Sequence, residues 1–220
     1  MSQFMVLSLP SSGTDWICGI IARHGRVEYY QKEFFNPICN PLYREELSRH
    51  FGCELPGTMP HIAEPGTIAI MNQIYQETWE NHGYTMDKEV WSPFKLDWFK
   101  SHFQCLLMYR RMGSVFPPGR LRVWQWYDCI YHSLVQNGRL THKMHFPLRA
   151  RAELAHAACW KMMLTSGLPV ISYDTMVWGT EEDITKEIEA TWIPRVIDPW
   201  IFIQRVMESR EDRHHHPRSL

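Results

Sequence analysis

Phe4-Met5-Val6-Leu7-Ser8-Leu9-Pro10-Ser11-Ser12-Gly13-Thr14-Asp15-Trp16 stands near the start of the chain and decides how the rest is read. The run from Phe4 to Leu9 is short, apolar and unbroken, the pattern of a strand buried on both faces of a parallel sheet. Pro10, Ser11, Ser12, Gly13 and Thr14 supply turn chemistry. Trp16, Ile17, Ile20 and Ile21 then recur at i, i+1, i+4 and i+5, which predicts an amphipathic helix. His24-Gly25 ends it. Strand, small-residue loop and helix in that order open a βαβ unit.

The same alternation continues downstream. Residues 84–91 read as a second strand and 104–109 as the clearest buried strand. Residues 169–173 read as a further short one. Helices are predicted over 67–81, 93–103, 121–135, 149–166 and 181–192, the last of them acidic and final. Residues 28–66 are irregular and rich in Pro and Asn, with one helical stretch at 42–51, and read as an insertion covering the sheet. The expected architecture is α/β: a mostly parallel central sheet with helices on both faces. One domain over residues 1–207 suits a chain of 220 residues, and the polar tail 208–220 is expected to be disordered.

Composition narrows the function classes. Apolar residues make up 45% and charged residues 21% of the chain, enough for a sizeable core. The formal net charge of −1 signals no general nucleic-acid-binding surface. The N-terminus has no basic segment, and its apolar run is too short for a secretory h-region or a membrane span, so a cytoplasmic protein without membrane contact is expected. Cys18, Cys39, Cys53, Cys105, Cys129 and Cys159 are scattered without a Cys-x-x-Cys, as reduced thiols would be. His142 and His145 form an H-x-x-H with no Cys or acidic cluster nearby, so no metal site is expected. Trp124, Trp126, Tyr127 and Tyr131 crowd one helix, a pattern of core packing.

The site candidates follow from the fold. In open α/β sheets ligands bind at the carboxyl ends of strands. The loop after the first strand and Arg110-Arg111 after the third both lie at such ends. A loop that opens a helix presents unpaired N–H groups to an anion, helped by the helix dipole. Gly13 permits close approach, and the hydroxyls of Ser11, Ser12 and Thr14 are expected to donate. The loop lacks the first Gly and the Lys-Ser/Thr of G-x-x-x-x-G-K-[ST], with Thr14 and Asp15 in the latter places, so ATP–Mg²⁺ is not indicated. In the second strand Lys88 is either a site cation or the partner of Asp87 or Glu89. Glu89, in a mostly apolar strand, is a candidate general base, because burial raises a carboxylate's pKa; its alternative is a surface carboxylate.

Pro10-Ser11-Ser12-Gly13-Thr14-Asp15-Trp16 resembles the 5′-phosphosulfate loop of PAPS-dependent sulfotransferases, usually P-K-S-G-T-T-W. Leu107 to Val115 is similar to that family's strand ending in Arg-x-Pro-x-x-Val. Val170 to Val177, followed by the acidic helix, is similar to its Tyr-Glu-Asp-Leu region. The order is kept over roughly residues 4–193. The resemblance implies a three-layer P-loop, sulfotransferase-like fold and transfer of a sulfuryl group from PAPS to a hydroxyl or amine acceptor, with no metal. It implies that Ser11, Ser12, Gly13, Thr14, Asp15 and Trp16 hold the donor's 5′ end. Arg110, supported by Arg111 or Arg120, would take the 3′-phosphate. Lys88 resembles the second-strand Lys of several members, and Glu89 would be the base.

Two departures stand out. The family's basic loop residue falls at Ser11, and its loss removes transition-state stabilisation on the order of 3–4 kcal/mol. Its phosphate-binding Ser falls at Pro118. A P-loop kinase or other phosphotransferase, and a non-catalytic nucleotide- or anion-binding member of the fold, therefore stand as alternatives. The acceptor has no readable code.

Overall fold

The computed structural model describes residues 2–30, 33–36, 39–52, 67–90, 92–111, 121–141 and 146–215. Four parallel strands form the sheet: β1 (Phe4–Leu7), β2 (Met86–Glu89), β3 (Gln104–Tyr109) and β4 (Val170–Ser172), in the order β2-β1-β3-β4. The helices before β4 include α1 (Thr14–His24), α2 (Pro41–Phe51), α3 (Thr67–Ile74), α4 (Leu96–His102), α5 (Leu121–Gln136) and α6 (Leu148–Leu164). Beyond β4 come α7 (Tyr173–Trp178), α8 (Glu181–Glu189), α9 (Ile193–Val196) and α10 (Pro199–His215). The protein is thus α/β with a parallel sheet.

Every residue of β1 is buried, because helices cover both faces of the sheet. Side chains alternate across a strand. Met5 and Leu7 join Cys105 and Leu107 in one core with residues of α2 to α6. Phe4 and Val6 join Leu106, Met108 and Ile171 in a second core with residues of α1 and α7 to α10. The irregular stretch contributes to the first core through Phe34 and Phe35, which meet Trp79, Trp98 and Phe103 edge-on or tilted. The aromatic helix α5 buries Tyr127 and Tyr131 in that core and packs Trp124 against it, as expected, whereas Trp126 is exposed and takes no part in it.

Strand order defines the site. β2 pairs one side of β1 and β3 the other, so the chain crosses over β1 between them. That reversal opens a crevice beyond the carboxyl ends of β1 and β3, the topological switch point of an open α/β sheet.

The C-terminal region departs from the sequence reading. The acidic helix is not the last, and residues 208–215 are not a loose tail, since α10 runs on to His215. Phe202, Ile203 and Val206 bury one side of α10 in the second core. Ser209 accepts the Trp16 indole N–H at 2.8 Å. Arg210 donates to the carbonyls of Thr175, Met176 and Gly179 at the end of α7. The Met176 and Gly179 carbonyls, left open by the helix end, gain a partner, and the Thr175 carbonyl, which already accepts the Gly179 amide, gains a second donor. Arg210→Met keeps the aliphatic stem and removes the donors. It should lower the unfolding free energy in urea by roughly 2 kcal/mol, the scale of a charged hydrogen-bond set.

Candidate functional site

The loop after β1 is built from backbone geometry. Ser11 sits at φ 66°, in the left-handed region where a non-glycine residue is uncommon. Gly13 sits at φ 85°. Between them the Ser12 amide and hydroxyl both donate to the Leu9 carbonyl, at 3.2 and 2.6 Å. The Ser12 hydroxyl is therefore committed to the turn and buried, a correction to its expected role as an anion donor. Thr14 is buried as well. Gly13 forms the N-cap of α1, and among the described residues no side chain caps the helix. The amides of its first turn carry the positive end of the helix dipole.

Gly13 is required for a second reason. A Cβ there would lie 2.4 Å from Cδ2 of Tyr173, the first residue of α7. The Tyr173 ring lies against the loop, edge-on to Trp16 with centroids 5.9 Å apart. The Arg110 guanidinium stacks on the same ring, 4.1 Å from its centroid. Its Nη1 donates to the Ser11 carbonyl at 2.8 Å. Arg110 and the loop, 99 residues apart, thus meet across the β1/β3 crevice. Arg111 does not join them. It turns to Asp174, with Nε 3.0 Å from Oδ2, and is largely exposed.

Lys88 and Glu89 are neighbours on β2 and leave it on opposite faces. Lys88 is buried and pairs with neither Asp87 nor Glu89. Its Nζ lies 2.7 Å from Oε1 of Glu33 and 2.9 Å from Oδ1 of Asp15. Burial alone would lower the Lys88 pKa, but the two carboxylates outweigh it and hold it above its ordinary value. The Asp15 side chain is 84% exposed, whereas that of Glu33 is 11% exposed. Glu33 also accepts from Asn36 Nδ2 at 2.5 Å and has φ 55°, so the carboxylate is held by a constrained backbone. Glu89 is 2% exposed rather than a surface carboxylate, and its Oε1 accepts the Val90 amide at 3.1 Å.

Asp87 shares the Glu89 face of β2. Its Oδ2 accepts the Phe34 amide at 2.6 Å, and no hydrogen bond reaches Oδ1. Burial pushes its pKa up to about 7, against the opposing effect of the Phe34 amide. Cys39, beside Glu33, is pushed up to about 12 by burial and then by the Glu33 charge, so its thiol stays protonated near neutral pH.

Beside the loop, a groove of about 520 Å3 runs between α1 and α10, lined by Asp15, Trp16, Gly19, Ile20, Arg23 and Arg205 among others. Glu33 and Tyr173 are not marked as site residues by the sequence, and Asp87 enters there only as a possible partner of Lys88. Glu33 lies in a stretch without periodicity, and nothing local links it to Lys88. Pro118, Arg120, His142 and His145 lie outside the described residues.

No family model and no curated protein matches the chain. Among the described residues no helix is long and apolar enough to cross a membrane. No group of three or more His, Cys, Asp or Glu there could hold a metal ion. Cys18, Cys39, Cys105, Cys129 and Cys159 are free thiols.

Two outcomes follow. Gly13→Ala should cost more than the ~1–2 kcal/mol of a left-handed backbone, since the Tyr173 ring must also move; urea titration measures it. Asp87 binds its proton more tightly folded than unfolded. The stability this contributes is full below about pH 4 and is lost as pH rises through about 7. Asp87→Asn should therefore gain on the wild type between those values, at up to about 1.4 kcal/mol per pH unit, in urea unfolding at stepped pH.

Proposed function

We propose that this chain is a cytoplasmic, sulfotransferase-like protein on a three-layer P-loop fold. It binds PAPS at the loop after β1 and moves the sulfuryl group to a hydroxyl or amine acceptor. The observation that carries the reading is the meeting of Arg110 with the loop at the β1/β3 crevice, beside the uncapped start of α1. An anion seated there faces first-turn amides and a guanidinium together, the pairing that phosphate-like groups favour. The groove along α1 has the size of a small-molecule pocket.

In this reading the amides of Gly13, Thr14 and Asp15 hold the 5′-phosphosulfate. The guanidinium of Arg110 leaves the Ser11 carbonyl for the 3′-phosphate, keeping its stack on Tyr173. Lys88 stands in for the cation lost at Ser11. Its Glu33 contact is buried and fixed, while its Asp15 contact reaches solvent and is the one an anion can replace. Glu89 serves as base only for an acceptor approaching from the other face of β2. The geometry therefore favours donor binding more strongly than transfer. A non-catalytic anion- or nucleotide-binding role is the second reading, and the double engagement of Lys88 is what favours it. A kinase on the same scaffold is the third.

Thermal unfolding with added nucleotide separates them. PAP, the desulfated donor, should raise the melting temperature, by the equivalent of about 2.7 kcal/mol at a hundredfold excess over Kd. No shift at millimolar PAP rejects the reading. Stabilisation by ATP–Mg²⁺ without PAP points to the kinase. If Ser11→Lys creates PAP binding that the wild type lacks, the natural protein is not a sulfotransferase.

A further inference from the structure

Gly19 stands in the middle of α1, where glycine weakens a helix relative to alanine. Neither usual reason for a glycine holds there. Its φ is not positive. A Cβ built on it meets no atom within 4 Å, so no neighbour requires its small size. What lies beyond it is the groove of about 520 Å3 between α1 and α10. Asp15, Gly19 and Arg23 follow at four-residue steps and line the groove as one row. Trp16 and Ile20, each mostly buried, add an apolar wall, and the bond from the Trp16 indole to Ser209 fixes that ring across the groove.

The charges along the groove are unevenly satisfied. Asp15 pairs with Lys88 at 2.9 Å, and Arg205 pairs with Glu208 at 2.6 Å. Arg23, beside His24 at the far end, is exposed and makes no hydrogen bond or ion pair among the described residues. It lies about 12 Å from Asp15 along the helix, at 1.5 Å per residue.

We propose that this groove is the acceptor's binding site and takes an elongated organic acid. Its acidic group meets Arg23, since a guanidinium favours a carboxylate. Its flat apolar body lies over the bare backbone at Gly19, beside Trp16 and Ile20. Its hydroxyl or amine lies at Asp15, which is also the contact of Lys88, so that end of the groove adjoins the anion site. That the occupant is the acceptor rests on the donor-binding reading above; that the groove binds an organic acid does not. An acceptor held there arrives from the Lys88 face of β2, and Glu89, on the opposite face, takes no part.

The probe 6-hydroxy-2-naphthoate carries an acid and a hydroxyl at opposite ends of a two-ring body. Calorimetric titration of the full chain should show it bound, and 2-naphthol, which lacks the acid, should bind about tenfold more weakly. Arg23→Met keeps the stem and should bring the naphthoate down to the naphthol level. Gly19→Ala should melt roughly 2–4 °C higher, on helix propensity alone. Gly19→Leu, whose side chain enters the groove, should stay folded and lose the naphthoate at least tenfold. Saturating PAP should leave the naphthoate bound. Competition with PAP places the naphthoate on the anion site and overturns the proposal. So does wild-type protein that binds no naphthoate, equal binding of the two probes, unchanged binding in Gly19→Leu, or a lower melting temperature in Gly19→Ala. Wild-type protein that binds the naphthoate but no PAP keeps the groove as an organic-acid site and overturns the donor reading, and with it the acceptor's name for the occupant.

Discussion

The Leu9 carbonyl accepts both the amide and the hydroxyl of Ser12, and the direction of the chain after β1 follows from that one acceptor. The turn it closes holds Ser11 in the left-handed region, and Gly13, just beyond it at the start of α1, is left-handed as well. With the turn made, α1 starts at the end of the central strand and leaves its first amides facing the crevice. The missing Cβ of Gly13 lets Tyr173 lie against the loop, and Tyr173 gives Arg110 a surface to stack on. Arg210 and Ser209 of α10 then hold α7 and Trp16 in place. A glycine, an aromatic ring and a guanidinium from three parts of the chain form one wall of the site.

Electrostatics supply the second constraint. Lys88 is a buried cation near the start of α1, and its charge is shared between a buried partner, Glu33, and an exposed one, Asp15. Glu33 is confined by burial and by Asn36. Asp15 is exposed and placed in the first turn, where an acidic residue is favoured by the helix dipole. A carboxylate there occupies the electrostatic place that a bound anion would take. Ser11 brings no charge to the loop, and the cation one strand away is held by Asp15 and Glu33.

Much of the fold was legible because it is written in local periodicity. The unbroken run at Phe4 and the run at Gln104 are strands, and the stripes at Trp16 and in 121–135 are helices, near the limits the sequence implied. The end of the chain was not, because α10 alternates its few apolar residues with many charged ones. Its tail reads as solvated until Arg210 is seen donating to three carbonyls of another helix. Glu89 and Lys88 were found as candidates, yet the period of two along β2 already separated them onto opposite faces. Arg111 was grouped with Arg110 by adjacency, and the end of the strand sent the two apart.

By itself the sequence determined the strand–loop–helix opening, the parallel α/β architecture and Arg110 as the charge at the end of β3. Each depends on residues close together in the chain, whose spacing reports which face is buried. Only the tertiary structure decided that Ser12 turns inward, that Lys88 is bound to Glu33 and Asp15, and that Tyr173 and Arg110 close over Gly13. Those outcomes depend on strand order and on the packing of distant elements. A pairing across 55 or 99 residues leaves no trace in local spacing.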